Sequence, residues 1–292
     1  AKPLKLDKFG RALLSDGRMV DTAGISYEGA ALFQGKPKIF IAGSTGELGR
    51  RVALDILRGE HSVYLGYRDE GRKAEVSYDN RRTSRYEMNI VPNAFIEGGR
   101  AEELQKQLAD SSVVIDVAGA SNQFDIFRPG MSSDQLAPER TDLNGTKALI
   151  DAAKAAGVRK FIYVSAVLTN ARALGEGDSD AFKNWNKFGN VLDCKHEAEE
   201  YLKNSGLDYT IIRPAPMTND FPKDVGGLAF KAPDTVLLKN TENAKRVSRD
   251  DVSLACYDAV YNPRASRKVV ELVGVPGKSP TVRDAWWLVP PA

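Results

Sequence analysis

Between about residue 38 and residue 273 the chain alternates short apolar runs with longer stretches in which apolar positions recur every three or four residues. The first run, Ile39 to Ala42, feeds three glycines, Gly43, Gly46 and Gly49, after which Val52, Leu54, Ile56 and Leu57 form the apolar face of a helix. Lys38 to Arg51 (KIFIAGSTGELGRR) therefore reads as strand, tight turn and helix. The pattern predicts further strands at Ser62–Tyr67, Asn93–Glu97, Ser112–Val117, Phe161–Ser165, Tyr209–Arg213 and Lys268–Val273. Between them fall helices over Ala101–Ala109 and Pro138–Ala156, one ending near Asn204 that packs through Ala198, Tyr201 and Leu202, and one starting near Asp250. Such alternation means βαβ units and a parallel α/β sheet.

Two segments lack a sustained period. Residues 1–36 read as an N-terminal extension outside the nucleotide fold, and residues 276–292 as a C-terminal tail, leaving a central domain over 37–275. The poorly periodic stretch at about 215–239 reads as a lid or substrate loop, and 71–93 as a basic solvated helix and loop.

The glycine turn supplies the first candidate chemistry. In a Rossmann (doubly wound) sheet the first glycine allows a sharp exit from the strand, the second lets backbone approach a pyrophosphate, and the third lets the helix pack closely. The helix N-terminus then offers unpaired N–H groups and a positive dipole end. The second strand ends in Arg68 and Asp69, where an arginine accepts a 2′-phosphate and an acid binds a 2′-hydroxyl. Arg68 comes first, with Arg72 and Lys73 behind it, so NADP(H) is favoured over NAD. Ala118 and Gly119 follow the fourth strand, where small residues let a nicotinamide ribose lie against backbone.

Composition narrows the remaining choices. The 292 residues are 42% hydrophobic and 27% charged with a net charge of +2, which argues for neither nucleic acid nor an anionic membrane. No apolar run reaches the length of a membrane span. Two cysteines, Cys194 and Cys256, and two histidines make a structural zinc improbable. The chain begins at Ala1 and its first residues contain Asp7, Asp16 and Asp21, so a targeting segment is expected to have been removed already. Trp286 and Trp287 in the tail are costly to leave in water; they either pack back on the domain or enter a partner, with packing back the default.

Three further motifs carry a resemblance. DLNGTKALIDAAKAAGVRKFIYVSAV (142–167), EAEEYLKNSGLDYTIIRPAPMT (197–218) and RVSRDDVSLACYDAV (246–260) resemble atypical short-chain dehydrogenase/reductases of the NmrA-like, NAD(P)-binding type, and plant plastid Tic62-like proteins among them. The resemblance implies a doubly wound parallel sheet, the Rossmann fold, with cofactor phosphates at Ser44, Thr45, Glu47 and Leu48 beside the three glycines, and the 2′-phosphate near Arg68. It places the nicotinamide half near Ala118, Gly119, Ser165 and the Pro214 to Met217 segment, and it points to a plastid, with the cytoplasm as the alternative.

The catalytic pattern of the wider superfamily is Tyr-x-x-x-Lys on a helix with a serine after the fifth strand, the ammonium lowering the tyrosine pKa. Ser165 fits the serine and Lys195 the lysine, but Val191 stands four residues before Lys195, and no tyrosine of the chain has lysine four residues later. Tyr163 and Tyr201 are the candidate substitutes for the missing acid, but Tyr163 lies inside a strand and Tyr201 reads as core. Two functions follow. The one preferred on sequence is an NADP(H)-binding redox-sensing or assembly subunit, meeting a protein partner through residues 1–36 or the Trp286–Trp287 tail. The alternative is an NADPH-dependent reductase of a flavin, quinone or conjugated acceptor, for which Ser165 and Lys195 are the catalytic candidates. A ligand-sized cavity above the nicotinamide favours the reductase; a cavity plugged by Trp185, Phe188 or the 215–239 loop favours the subunit.

Overall fold

The structure, a computed structural model, describes residues 37–58, 63–66, 88–91, 101–120, 136–238, 245–281 and 285–289. Nearer the N-terminus it describes three two-residue strands, β1 (Ala12–Leu13), β2 (Met19–Val20) and β3 (Ser26–Tyr27), which form a small antiparallel sheet of their own.

The main sheet contains β4 (Ile39–Ala42), β5 (Val63–Gly66), β6 (Met88–Val91), β7 (Val113–Asp116), β8 (Lys160–Val164), β9 (Asp208–Pro214), β11 (Gly227–Lys231) and β13 (Lys268–Val275), in the spatial order β11-β13-β9-β8-β7-β4-β5-β6. Every neighbouring pair is parallel except β11 with β13. Taken in chain order, the parallel strands run 3-2-1-4-5-6-7, the doubly wound Rossmann order. The order reverses between β4 and β7, and ligands of such sheets bind outside the strand ends at that reversal. A short parallel pair, β10 (Met217–Thr218) with β12 (Val247–Ser248), sits beside the sheet.

Period-two side chains divide the interior into two layers. Ile39 and Ile41 face one core, Phe40 and Ala42 the other, and all four are buried, which is why the strand reads as a continuous apolar run. The first core is closed by α1 (Glu47–Arg58) and α7 (Arg249–Tyr261) through Val52, Ile56, Val252 and Cys256. The second is closed by α2 (Ala101–Leu108), α3 (Thr146–Ala155) and α5 (Val191–Asn204) through Leu104, Leu149, Ile150, Ala198 and Leu202.

Three expectations change, and a fourth, that the tail tryptophans by default pack back on the domain, is met. The third strand is Met88–Val91, in register with Val63–Gly66, within the stretch expected to be a basic loop; residues 93–97 lie outside the described residues. Its short MNIV run is flanked by polar residues that mask the period. The helix expected over 138–156 is divided into a π-helix, Glu139–Gly145, and α3. Tyr201 is 38% exposed and donates to Asp151 Oδ1 at 2.7 Å, because its hydroxyl has water or a carboxylate to reach only at the rim of α5. Trp286 and Trp287 are buried in the domain itself: Phe230 stacks on Trp286 at 4.8 Å, and Trp287 Nε1 donates to Asp258 Oδ2 at 2.6 Å. A partner contact through those rings is therefore closed off.

The expected lid stretch contains β10, the short α6 (Pro222–Val225), β11 and a loop over 232–238 tied down by a buried charge network. Arg213, at the end of β9 and 2% exposed, donates to Glu199 Oε2 at 2.6 Å and to Asp234 Oδ1 at 2.7 Å. Glu271 on β13 accepts the backbone N–H groups of Asp234, Thr235 and Val236 at 3.0, 3.1 and 2.7 Å. Removing one partner of a buried pair leaves the other charge uncompensated, so Arg213→Ala is expected to cost about 3–5 kcal/mol. Urea unfolding measures this; a loss below about 1 kcal/mol would contradict the network's role.

Candidate functional site

The site starts where β4 ends. Gly43 adopts φ +76°, and a Cβ there would fall 2.7 Å from the Ala118 Cα. Gly49 is packed more tightly still: its Cβ would come within 2.1 Å of the Gly43 carbonyl oxygen. Only glycine fits at either position, so the turn is pressed against α1 on one side and the end of β7 on the other. Gly46 N–H closes the turn on Gly43 O at 3.0 Å. The Ser44 hydroxyl donates to Gly66 O at 2.7 Å and is buried, so this side chain fixes the turn to β5.

Above the turn a cavity of about 360 Å³ opens at the carboxyl ends of β4, β7, β8 and β9. Gly46, Glu47 and Leu48 form one wall, Ala118 and Gly119 the next, and Ser165, Pro214 and Met217 the far side, with Lys195 at the base. The structure thus gathers nine of the expected site residues around one space. Gly43, Ser44, Thr45 and Gly49 stand behind this wall, within the turn. Arg68 lies outside the described residues.

Most of the remaining lining is apolar, Val167, Leu168, Trp185, Val191, Leu192 and Leu238 among it, and Asp142 and Arg249 are its charged members. Leu168 and Leu238 hold φ of 68° and 51°, a left-handed conformation that costs a leucine energy and that clusters at functional sites. The Arg213 network holds the loop that carries Leu238.

Two buried carboxylates organise the polar base, and sequence reasoning missed both. Asp142, fully buried, lies 2.8 Å through Oδ1 from Lys195 Nζ and accepts the Ala120 N–H at Oδ2, 3.1 Å away. One side chain thereby fixes both the ammonium and the strand-end loop at 118–120. Asp142 sits in the π-helix, whose wider winding is frequent at functional sites. Asp116 accepts from Ala118 N–H and from Thr146 Oγ1, each at 3.0 Å. An aspartate ending the apolar run SVVID, and a second at the start of the DLNGT motif, were the available signals.

Charge states follow from these contacts. Burial pulls the Lys195 pKa down, but Asp142, Tyr163 and Asp116 outweigh it and hold the ammonium charged, above its ordinary value. Burial pushes the Tyr163 phenol well up, so it stays protonated; its ring lies 5.4 Å from Lys195 Nζ and its hydroxyl is buried with no hydrogen-bond partner. The Ser165 hydroxyl is likewise buried and unpartnered, on the cavity wall. Val191 stands at the first position of α5, buried, one turn before Lys195. Burial raises the Cys194 thiol to about 11 and the Cys256 thiol further, so both are inert at neutral pH. Among the described residues no cluster of His, Cys, Asp or Glu could hold a metal ion, and no helix is long and apolar enough to cross a membrane.

A glycine turn under a helix N-terminus, at the reversal of a doubly wound sheet, defines a dinucleotide-binding protein of the Rossmann class. The chain belongs to the NAD(P)H-binding family, whose profile matches residues 43–263. It is 34% identical over 236 residues to the chloroplastic protein At2g34460 of Arabidopsis thaliana, covering 81% of this chain and 76% of that one. It is 30% identical over 245 residues to the chloroplastic protein TIC 62 of the same plant, covering 80% of this chain and only 35% of TIC 62. The oxidoreductase ylbE from Lactococcus lactis shares the fold with a TM-score of 0.62 at 22% identity, over 85% of this chain and 94% of that one.

Burial raises the Asp116 pKa to about 6, against about 3.9 in an unfolded chain. Between these values the folded chain keeps a proton that the unfolded chain releases. This group's stabilisation is therefore complete below about pH 4 and is lost as pH rises through about 6. Urea unfolding should show wild type losing stability relative to Asp116→Asn, which cannot ionise, as pH rises from about 4 to about 7. A difference between the two that is constant with pH would contradict this.

Proposed function

We propose that the chain is an NADPH-dependent reductase of a small, largely apolar conjugated acceptor such as a quinone, flavin or enone. The observation that carries this reading is the open cavity of about 360 Å³ at the strand ends, which falls in the range of small-molecule sites. Trp185 and Leu238 line that space without filling it.

The residues present fit a dinucleotide. The glycines leave backbone exposed at Gly46, the first turn of α1 directs N–H groups toward the same wall, and the buried Ser165 hydroxyl has no protein partner. Gly46, Glu47 and Leu48 would hold the pyrophosphate, Ala118 and Gly119 the nicotinamide ribose, and Pro214 and Met217 the face of the ring. When bound, the reduced dinucleotide supplies a hydride.

Ser165 would donate a hydrogen bond to the acceptor oxygen. The Lys195 ammonium, held by Asp142, would orient the ribose and lend positive charge to the base of the cavity. With Val191 in place of the phenolic acid, the product's proton comes from water. Loss of a positioned acid typically forfeits about 10² to 10⁴ in rate, least where the acceptor delocalises the incoming charge. This argues for conjugated acceptors. The apolar wall of Leu168, Trp185 and Leu238 suits their flat, poorly hydrated rings.

Arg68 is the proposed 2′-phosphate ligand and the reason for preferring NADP(H). A plastid is the proposed compartment, by likeness to the chloroplastic relatives. A nucleotide-holding subunit is the second reading, favoured by Val191. Residues 1–36 remain its proposed route to a protein partner.

Titration with NADPH and NADH, then NADPH consumption against quinones, flavins and enones, decides between the two. The reductase reading expects tighter NADPH than NADH binding, lost in Arg68→Ala, and turnover reduced about 10²-fold in Ser165→Ala at unchanged NADPH affinity. Tight binding without turnover on any acceptor would leave the subunit reading.

A further inference from the structure

One charged group on the cavity wall has no part in the proposed hydride chemistry. Arg249 opens α7 directly after its N-cap, Ser248, whose hydroxyl accepts the Asp250 N–H at 3.3 Å. Its side chain lines the same cavity as Gly46, Glu47 and Leu48. Helices α1 and α7 lie side by side and parallel: Arg51 Nε meets Asp250 Oδ1 at 2.8 Å and, one turn further along both, Ser253 Oγ donates to Asp55 Oδ2 at 2.7 Å. Both positive dipole ends therefore reach the glycine turn.

The carboxylates in this corner are already committed. Glu47 pairs with Arg50 at 2.6 Å and with Arg51 at 3.2 Å, and Asp250 pairs with Arg51. Among the described residues Arg249 has no carboxylate partner; its one hydrogen bond goes to the neutral Asn219 Oδ1 at 2.9 Å. Burial, and then the like charge of Arg51, depress its pKa below the ordinary arginine value, with Glu47 only partly offsetting them. A half-buried guanidinium beside a second arginine and two helix N-termini is an environment that an anion would relieve.

We propose that Arg249 is a pyrophosphate clamp: its guanidinium crosses from α7 to bind the dinucleotide phosphates that the first turn of α1 holds from the other side. This rests on the reading of the cavity as a dinucleotide site. A planar guanidinium presents paired donors that match phosphate oxygens, and hydrogen bonds between charged groups are the strong ones. The clamp also explains why a cation is contributed by a segment about 200 residues from the glycine turn in sequence, since Ser248, Arg249 and Asp250 meet α1 only in the folded chain.

The test is fluorescence titration of wild type, Arg249→Ala, Arg249→Lys and Asn219→Ala with three probes. NADPH and ADP-ribose carry the pyrophosphate; adenosine 2′-monophosphate does not. Arg249→Ala should weaken NADPH and ADP-ribose about 10- to 100-fold while leaving adenosine 2′-monophosphate unchanged, which also shows that the variant is folded. Arg249→Lys, which keeps the charge but makes one contact where arginine makes two, should lose less than Arg249→Ala. Asn219→Ala, which removes only the hydrogen bond within the protein, should bind as wild type does. NADPH affinity equal in wild type and Arg249→Ala would overturn the clamp while leaving the dinucleotide site standing. Equal losses in Asn219→Ala and Arg249→Ala would overturn it in favour of a structural role. Absence of NADPH binding by wild type would overturn the site and the clamp together.

Discussion

The close approach of Gly49 to the Gly43 carbonyl is the constraint on which the site depends. A methyl group at residue 49 would stand 2.1 Å from that oxygen, and one at residue 43 would meet the Ala118 backbone at 2.7 Å. The glycines therefore set the distance between α1, β4 and β7, and with it the depth of the space at the reversal of the sheet. Ser44 ties the same turn to Gly66 of β5. A helix N-terminus directed over backbone without side chains is left as one wall of the cavity, and it is chemically suited to phosphates.

The opposite wall is set by charge. Lys195 has a buried aspartate as partner and a valine one turn back. Its ammonium remains charged because Asp142 outweighs the cost of burial. Asp142 also receives Ala120 N–H, so the π-helix, the strand-end loop and α5 are joined through one carboxylate. A charged ammonium held by a buried carboxylate can orient and polarise a bound group, and under the proposed reductase reading it would favour acceptors that need little help from an acid.

The parallel sheet was legible because most of its strands, β4, β7 and β8 among them, are buried and read as apolar runs, and the glycine turn because its three positions are fixed by steric contact. Ser165 and Lys195 could be placed by motif alone. What the sequence concealed was of two kinds. Met88–Val91 is a short strand inside polar surroundings, with too few residues for a period to show. Asp116, Asp142 and Arg249 act through partners distant in sequence, and no local pattern reveals that an aspartate in an apolar run will meet a threonine 30 residues on, or that an arginine opening one helix will line a cavity with another. The tail was legible in part: the cost of leaving Trp286 and Trp287 in water pointed to burial, and only the fold brings them Phe230 and Asp258.

The cavity's apolar side is held in place at some cost to local geometry. Leu238 and Leu168 occupy a backbone region unfavourable to leucine, and the loop carrying Leu238 is anchored by the charges of Arg213, Glu199 and Glu271 buried below it. A crystal structure of the chain with NADP⁺ tests the central claim most directly. The account predicts pyrophosphate over Gly46–Leu48, the nicotinamide ribose against Ala118 and Gly119, and a nicotinamide ring with one face on Pro214 and Met217 and its reactive face open to Ser165 and Trp185. A dinucleotide bound away from the glycine turn, or a ring turned so that its reactive carbon faces protein instead of the cavity, would contradict it.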